Sequence, residues 1–234
     1  MLSGGYSGRS VIAGISGGNP FVGHRVEVRS EPNRARKAIQ LPEDNPVGYF
    51  VKHLKPESVT PEQLDDTQYW SIRALDRGCV VATNGKQTDR MAEHYHEYGI
   101  LAEELGRLGY ERDGTARIAV MLRGAVARFG MVAKDPDSDR AIVRTEDYRM
   151  SLGRAHILST YMGGSREITH PDIRQPESLQ KLIKALQVGD MSAKELADFF
   201  YKAMDPEYVI CTDVALWDAS NGKWDFGEKN LNSD

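Results

Sequence analysis

The stretch from Cys79 to Ala133 constrains the fold of this chain more than any other. Cys79-Val80-Val81-Ala82 reads as the heart of a buried strand over Arg77–Thr83, and Asn84-Gly85 ends it. From Thr88 to Leu108, Met91, Tyr95, Tyr98, Leu101, Leu105 and Leu108 recur at spacings of 4, 3, 3, 4 and 3. That rhythm predicts one amphipathic helix, stopped by Gly109. After Asp113-Gly114 come two strand-like runs, Arg117–Leu122 and Val126–Ala133, with Gly124 between them as a hairpin turn. Arg140–Arg144 reads as a further strand. A helix with one apolar face must lay it on a partner, and the adjacent strands supply one. The expectation is an α+β fold: a mixed or largely antiparallel sheet through residues 77–144, joined by a strand near 208–214 and flanked by four to five helices.

Local signals fill in the rest. Val47–His53 is strand-like. Thr60-Pro61-Glu62 offers an N-cap, a proline at the first helical position and an acid in the first turn, predicting a helix over 61–75. Residues 147–162 read as helical, weakened at Gly153. A loop over Gly163–Pro176 precedes a helix over Glu177–Val188, with Leu179, Leu182, Ile183 and Leu186 on one face. Ser192 and Glu195 form a capping box ahead of a helix carrying Leu196, Phe199, Phe200, Ala203 and Met204. Asn221-Gly222 suggests a two-residue type I′ turn, which sets Trp217 opposite Phe226 and Ala219 opposite Trp224. Residues 1–45, punctuated by glycines from Gly4 and Gly5 to Gly23, read as an extended Gly/Arg-rich arm with short strand-like pieces at Val11–Ile15 and Arg25–Arg29. The expected organisation is this arm, one domain over 46–227 and a polar tail over 228–234.

Charge and cysteine usage narrow the function classes. The formal net charge is −4, yet residues 1–40 carry six basic side chains against two acidic ones, which leaves the remainder at −8. A positive segment on an acidic body suits an anionic partner or the body of a second copy; the acidic total disfavours general nucleic-acid binding. No run approaches the ~20 apolar residues of a membrane helix, and Met1–Gly5 lacks the charged-then-apolar pattern of a secretory signal. Cys79 and Cys211 sit in apolar runs and read as core thiols of a reducing, cytoplasmic compartment.

No chemistry is written in a linear motif. The runs Gly4–Ser10 and Gly14–Pro20 fit neither GxxxxGK[ST] nor GxGxxG, so they read as turns, and no cofactor is expected. Asp135, Asp137, Asp139 and Glu146 follow the calcium-loop order, but Arg140 replaces the turn glycine and the flanks read as strands; an acidic β-turn is the simpler reading. His94 and His96, two apart on a helix, point to different sides, and HExxH, GxSxG and SxxK are absent. Arg117, Arg123, Arg128 and Arg154, with Arg166 and Arg174 nearby, form a candidate anion-binding cluster, because guanidinium groups bind carboxylate or phosphate in bidentate fashion. Arg25, Arg29, Arg34, Arg36 and Lys37, with Trp217, Trp224 and Phe226, form a candidate partner-binding set.

Two functions compete. The first is a non-catalytic interaction or assembly factor, virus-encoded or bacterial, that grips a protein partner or another copy through its arm and terminal hairpin. The alternative is a small enzyme or binder for a phosphate-bearing metabolite or nucleotide, using the central arginines. The missing motifs and uneven charge favour the first.

Overall fold

The structure, a computed structural model, describes residues 6–41, 47–75, 78–97, 99–162 and 169–232. The Gly4-Gly5 turn, the strand start at Arg77, the Tyr98 position of the helical stripe, Arg166, much of the loop begun at Gly163 and the tail residues Ser233 and Asp234 lie outside the described residues. In chain order the elements are β1 (Arg9–Ser16), β2 (Asn19–Glu27), α1 (Glu31–Arg34), β3 (Arg36–Leu41), β4 (Gly48–His53), α2 (Pro61–Thr67), β5 (Tyr69–Ala74) and β6 (Cys79–Thr83). There follow α3 (Gln87–Glu93), α4 (Ile100–Leu108), β7 (Arg117–Arg123), β8 (Val126–Lys134), β9 (Ala141–Arg149) and β10 (Arg154–Ser159). The last are α5 (Ser178–Leu182), β11 (Lys184–Gln187), α6 (Ala193–Lys202), β12 (Val209–Asp218) and β13 (Lys223–Asn230).

The expectation of a single sheet flanked by helices is corrected. Two antiparallel sheets pack face to face, one ordered β11-β10-β1-β2-β12-β13 and the other running β3 to β9 as a meander. Val11, Val22, Ile118, Val120, Leu122, Phe129 and Ile210 fill the seam between them. The outer face of the first sheet carries α6, with Ile12, Phe21, Val214 and Phe200 in contact. The outer face of the second carries α3 and α4 over Val81, Ala119 and Met121. Central strands are therefore buried on both faces, so runs such as Val11-Ile12-Ala13 lose the alternation that marks a half-exposed strand.

The extended arm is corrected for the same reason. Its glycines close a hairpin: Ser16 pairs with Asn19 across Gly17-Gly18, whose φ values of 55° and 88° belong to a primed two-residue turn. The strands β1 and β2 then occupy the middle of the first sheet, where β2 pairs with β12. Several helices also give way to strands. The helix begun at Thr60, with its full capping box, ends at Thr67, and Tyr69–Ala74 pairs with β4 and β6. Residues 147–162 are the end of β9 and then β10, because β9 finds a nine-residue partner in β8 and Gly153 (φ 69°) turns the chain. The 88–108 stripe is split into α3 and α4, with a turn closed by His94 Nδ1 and Glu97 Oε1 at 2.9 Å. The 177–188 helix stops at Leu182, and β11 pairs with β10.

The terminal hairpin keeps its strands but shifts register. Trp217 pairs with Trp224 and Ala215 with Phe226, across a four-residue loop. The Asp218 carboxylate sets this loop by accepting from Ser220 N at 2.9 Å, Ser220 Oγ at 2.6 Å and Asn221 N at 3.2 Å.

Candidate functional site

A cleft of about 470 Å³ opens where one end of β1 and β2 meets the loop before β3, the helix α2 and the segment before β7. Its walls include Tyr6, Gly8 and Arg9, then Glu27, Arg29, Asn33 and Arg36, then Asp66, Glu111, Arg112 and Tyr161. Gly8 holds two walls together. It has φ 71°, and a Cβ there would sit 2.6 Å from the Tyr161 ring, closer than any side chain tolerates.

Four arginines and four acids line the cleft, but they are not evenly paired. Arg9 is shielded from water, pairs with Glu111 at 2.5 Å and donates to the Asn84 carbonyl at 3.0 Å. Burial is the largest single effect and works against its charge, but Glu111, together with Tyr69 and Tyr161, more than offsets it and holds Arg9 above the usual guanidinium range. Asn84 is itself fixed, accepting from Ile118 N at 2.8 Å and donating to the Ala116 carbonyl at 3.1 Å. Glu111 also lies 3.5 Å from Arg117. Arg36 is buried and donates through Nε to the Asn33 carbonyl at 2.8 Å. Burial, reinforced by the Arg9 charge, holds Arg36 below the usual range. Arg29 stacks over Tyr6 at 4.3 Å and reaches Tyr208 at 5.4 Å, while its buried Nε finds no hydrogen-bond partner. Among the described residues neither Arg29 nor Arg36 has a carboxylate in ion-pair range. Just behind, Arg25 pairs with Glu27 at 3.5 Å but leaves Nε and one Nη unpartnered; burial holds it down too. Among the described residues, Arg29 and Arg36 are thus left as guanidinium groups without a carboxylate partner at the cleft.

Aromatic rings complete the site. Tyr6 stacks on Tyr161 with centroids 5.5 Å apart, and Tyr161 Oη is 2.7 Å from Thr115 Oγ1. The Tyr6 phenol is pushed up to about 12, by burial first and Tyr161 second. Beneath Arg9 and Arg36 lies Tyr69, which burial pushes up to about 12 against the pull of both guanidinium groups. It therefore stands as a neutral phenol at physiological pH.

The four arginines of the central cluster do not meet. Arg117 reaches the cleft edge through Glu111. Arg123, at the other end of β7 and ~20 Å away by strand rise, lies over Tyr95. Arg128 makes a two-pronged contact with Asp147 at 2.6 Å on the outer face. Arg154 is exposed on β10, in the other sheet. Arg174 is exposed and paired with Asp172. The partner-binding set is divided. Arg25, Arg29 and Arg36 belong to the cleft or its backing, whereas Arg34 bonds the Glu207 carbonyl and Lys37 borders a shallower groove with Lys194 and Lys229. Trp217 and Trp224 pack edge to face at 5.2 Å, Trp224 Nε1 donates to the Leu75 carbonyl at 2.7 Å, and Phe226 meets Tyr49 at 5.6 Å. Trp224 and Phe226 thus cap the core. The acidic loop is a hairpin turn: Asp135 caps Asp137 N and Ser138 Oγ, Asp137 pairs with Arg174, Asp139 pairs with Lys134 at 2.6 Å, and Glu146 stands away from them on β9 opposite Phe129. Among the described residues no three His, Cys, Asp or Glu side chains gather to hold a metal. Among the described residues, too, no helix is long and apolar enough to cross a membrane. Arg9, Tyr69, Glu111 and Tyr161 are absent from the sequence-based candidates, because β-strand register, not spacing in the chain, brings them together.

The fold and the cleft define a class: a four-layered α/β/β/α protein whose cleft, at one end of β1 and β2, is lined by several arginines. The chain belongs to the IMP cyclohydrolase-like protein family, which it matches over residues 6–222. It is 28% identical over 218 residues to the IMP cyclohydrolase of Methanocaldococcus jannaschii, covering 91% of this chain and 94% of that protein. It is 33% identical over 189 residues to the IMP cyclohydrolase of Methanococcus aeolicus, covering 76% and 87%. The IMP cyclohydrolase of Methanocella arvoryzae is 37% identical over 136 residues, 56% of this chain and 64% of that protein. These relatives are enzymes. They overturn the reading as a non-catalytic, virus-encoded or accessory docking protein and favour the alternative, an enzyme for a phosphate-bearing metabolite or nucleotide.

Proposed function

We propose that this chain is an enzyme that closes or hydrolyses the six-membered ring of IMP, the substrate that its relatives' names carry. The observation that carries the reading is a pair of guanidinium groups without ion-pair partners in a cleft of nucleotide size: Arg29 and Arg36 lack a carboxylate in range among the described residues, and a nucleotide phosphate supplies the missing charge. Hydrolysis at the ring carbon between two nitrogens leaves a formamide on one side and a carboxamide on the other; closure is the reverse, with loss of water. Closure needs a group that accepts a proton from the attacking carboxamide nitrogen and donors for the formyl oxygen as it gains charge. Tyr69, a neutral phenol, is proposed to take that proton while handing on its own, with Arg9 and Arg36 near it to hold the growing negative charge. The Tyr6–Tyr161 pair offers an aromatic wall for the base.

Ring closure changes ultraviolet absorbance, so the purified protein is incubated with the ring-opened formamido-carboxamide ribotide and followed spectrophotometrically, with IMP binding measured by calorimetry. Turnover and binding are expected. Absence of both at millimolar ligand overturns the reading.

A further inference from the structure

Behind the cleft floor, four polar side chains cross the apolar seam between the sheets. Tyr69 is 2% exposed, and His24, Ser71 and Asp213 are fully buried. Tyr69 Oη lies 3.3 Å from His24 Nε2. His24 Nδ1 lies 3.1 Å from Asp213 Oδ1, and Ser71 Oγ donates to Asp213 Oδ2 at 2.7 Å. Register sets this line: Asp213 pairs with His24 across β12 and β2, and Tyr69 and Ser71 alternate onto one face of β5. Such a line is costly in a core that apolar side chains would fill. It also has a direction: its phenol end lies one layer beneath the side chains that line the cleft, under the charges of Arg9 and Arg36, and a bound ligand reaches it by parting them.

We propose that Asp213 and His24 are positioning residues that fix the proton of Tyr69 and take it over during ring closure; this rests on the nucleotide reading given above. A carboxylate only accepts hydrogen bonds, so Asp213 holds the proton on His24 Nδ1. His24 Nε2 is left with its lone pair and accepts the Tyr69 O–H, which turns the free lone pairs of the phenol oxygen away from the imidazole, toward Arg9 and Arg36. As the carboxamide nitrogen bonds to the formyl carbon, its proton passes to Tyr69 Oη and the phenol proton passes to His24 Nε2. The formyl C=O pair moves onto oxygen beside the arginines. The imidazolium so formed lies against Asp213. The relay then returns one proton to that oxygen, and the resulting hydroxyl leaves as water with the hydrogen of the neighbouring ring nitrogen as the C=N bond forms. The 3.3 Å contact is long for a working hydrogen bond, as is common before ligand closes a site.

The proton order is read on the unaltered protein by ¹⁵N NMR of its histidines near neutral pH. The expected result is His24 with Nδ1 protonated and Nε2 bare; the opposite tautomer, or an imidazolium, overturns the proposal. Asp213→Asn keeps the side-chain volume but permits the wrong tautomer. It is expected to lower kcat by about 100-fold or more, within the range general acid–base groups contribute, with KM and IMP affinity little changed. Tyr69→Phe should match that loss, and Ser71→Ala, which leaves the His24–Asp213 contact intact, should fall far short of it. Full kcat in Asp213→Asn overturns the relay. If that variant does not fold, the tautomer in the parent decides. A parent that turns over nothing sinks the nucleotide reading instead, and the NMR result still judges the proton order.

Discussion

Replacing Arg36 by methionine should push stability and binding in opposite directions. Arg36 is 5% exposed, and its guanidinium has no carboxylate in ion-pair range among the described residues and sits near the like charge of Arg9. Exchanging a poorly compensated buried charge for an apolar side chain of similar length is often neutral or stabilising by about 1–4 kcal/mol. The Asn33 carbonyl loses its donor, which takes back about 1 kcal/mol. The net expectation is a gain of about 0–3 kcal/mol in the ligand-free protein, a Tm raised by up to about 10 °C for a chain of this size. Ligand binding should suffer, because a hydrogen bond to a charged group contributes about 1.5–3 kcal/mol, or about 10- to 150-fold in Kd. Thermal melts in phosphate-free buffer, with and without IMP, read both effects. At a ligand concentration about 100 times the parent Kd, the parent gains about 2.7 kcal/mol and the variant only about 0.3–1.4 kcal/mol. A variant that melts several degrees lower when empty and is stabilised by IMP like the parent would refute the view of Arg36 as an unpaired anion ligand.

Two further outcomes test other parts of the account. Arg128→Ala should leave turnover and IMP affinity unchanged, since its contacts to Asp147 lie on the outer face of the second sheet; a tenfold loss in kcat/KM would place that face in the chemistry. Alkali should destabilise the fold between about pH 10 and pH 12. Tyr6 and Tyr69 ionise near 10 when unfolded and are both pushed up to about 12 when folded, so their contribution is complete below 10 and lost as pH rises through 12. Denaturant midpoints measured across that window should fall, and Tyr69→Phe should flatten the decline; an unchanged slope in that variant would show that its phenol is not protected.

Signals that act over a few residues were readable in the sequence. The Thr60 and Ser192 caps start α2 and α6 where their side chains predict. The hairpin of β7 and β8 turns at Gly124, with φ 56°. What failed was anything decided by pairing across the chain. Tyr69-Trp70-Ser71-Ile72 extends the helical pattern of α2 on paper, yet strands on both sides claim it. The glycines of the first 23 residues read as slack because the partner that makes β2 a central strand lies nearly two hundred positions away. The cleft was hidden for the same reason. Arg25, Arg29 and Arg36 stood out as a basic run, but nothing local showed that they turn inward, or that Glu111 and Tyr69 wait for them.

The pairing of β2 with β12 also sets when this protein can begin to work. A ribosome delivers Arg9 on β1, and then β2, well before the strand that pairs with β2, Val209–Asp218, which follows nearly two hundred positions later. Until then β2 presents an unpaired apolar edge, a template for pairing with other nascent chains. Contacts of such long range also slow folding. The sheet beneath the cleft is thus complete only once β12 has emerged, and β12 governs yield: lesions there, far from any ligand, should appear in cells as aggregation of the whole chain before they appear as altered kinetics.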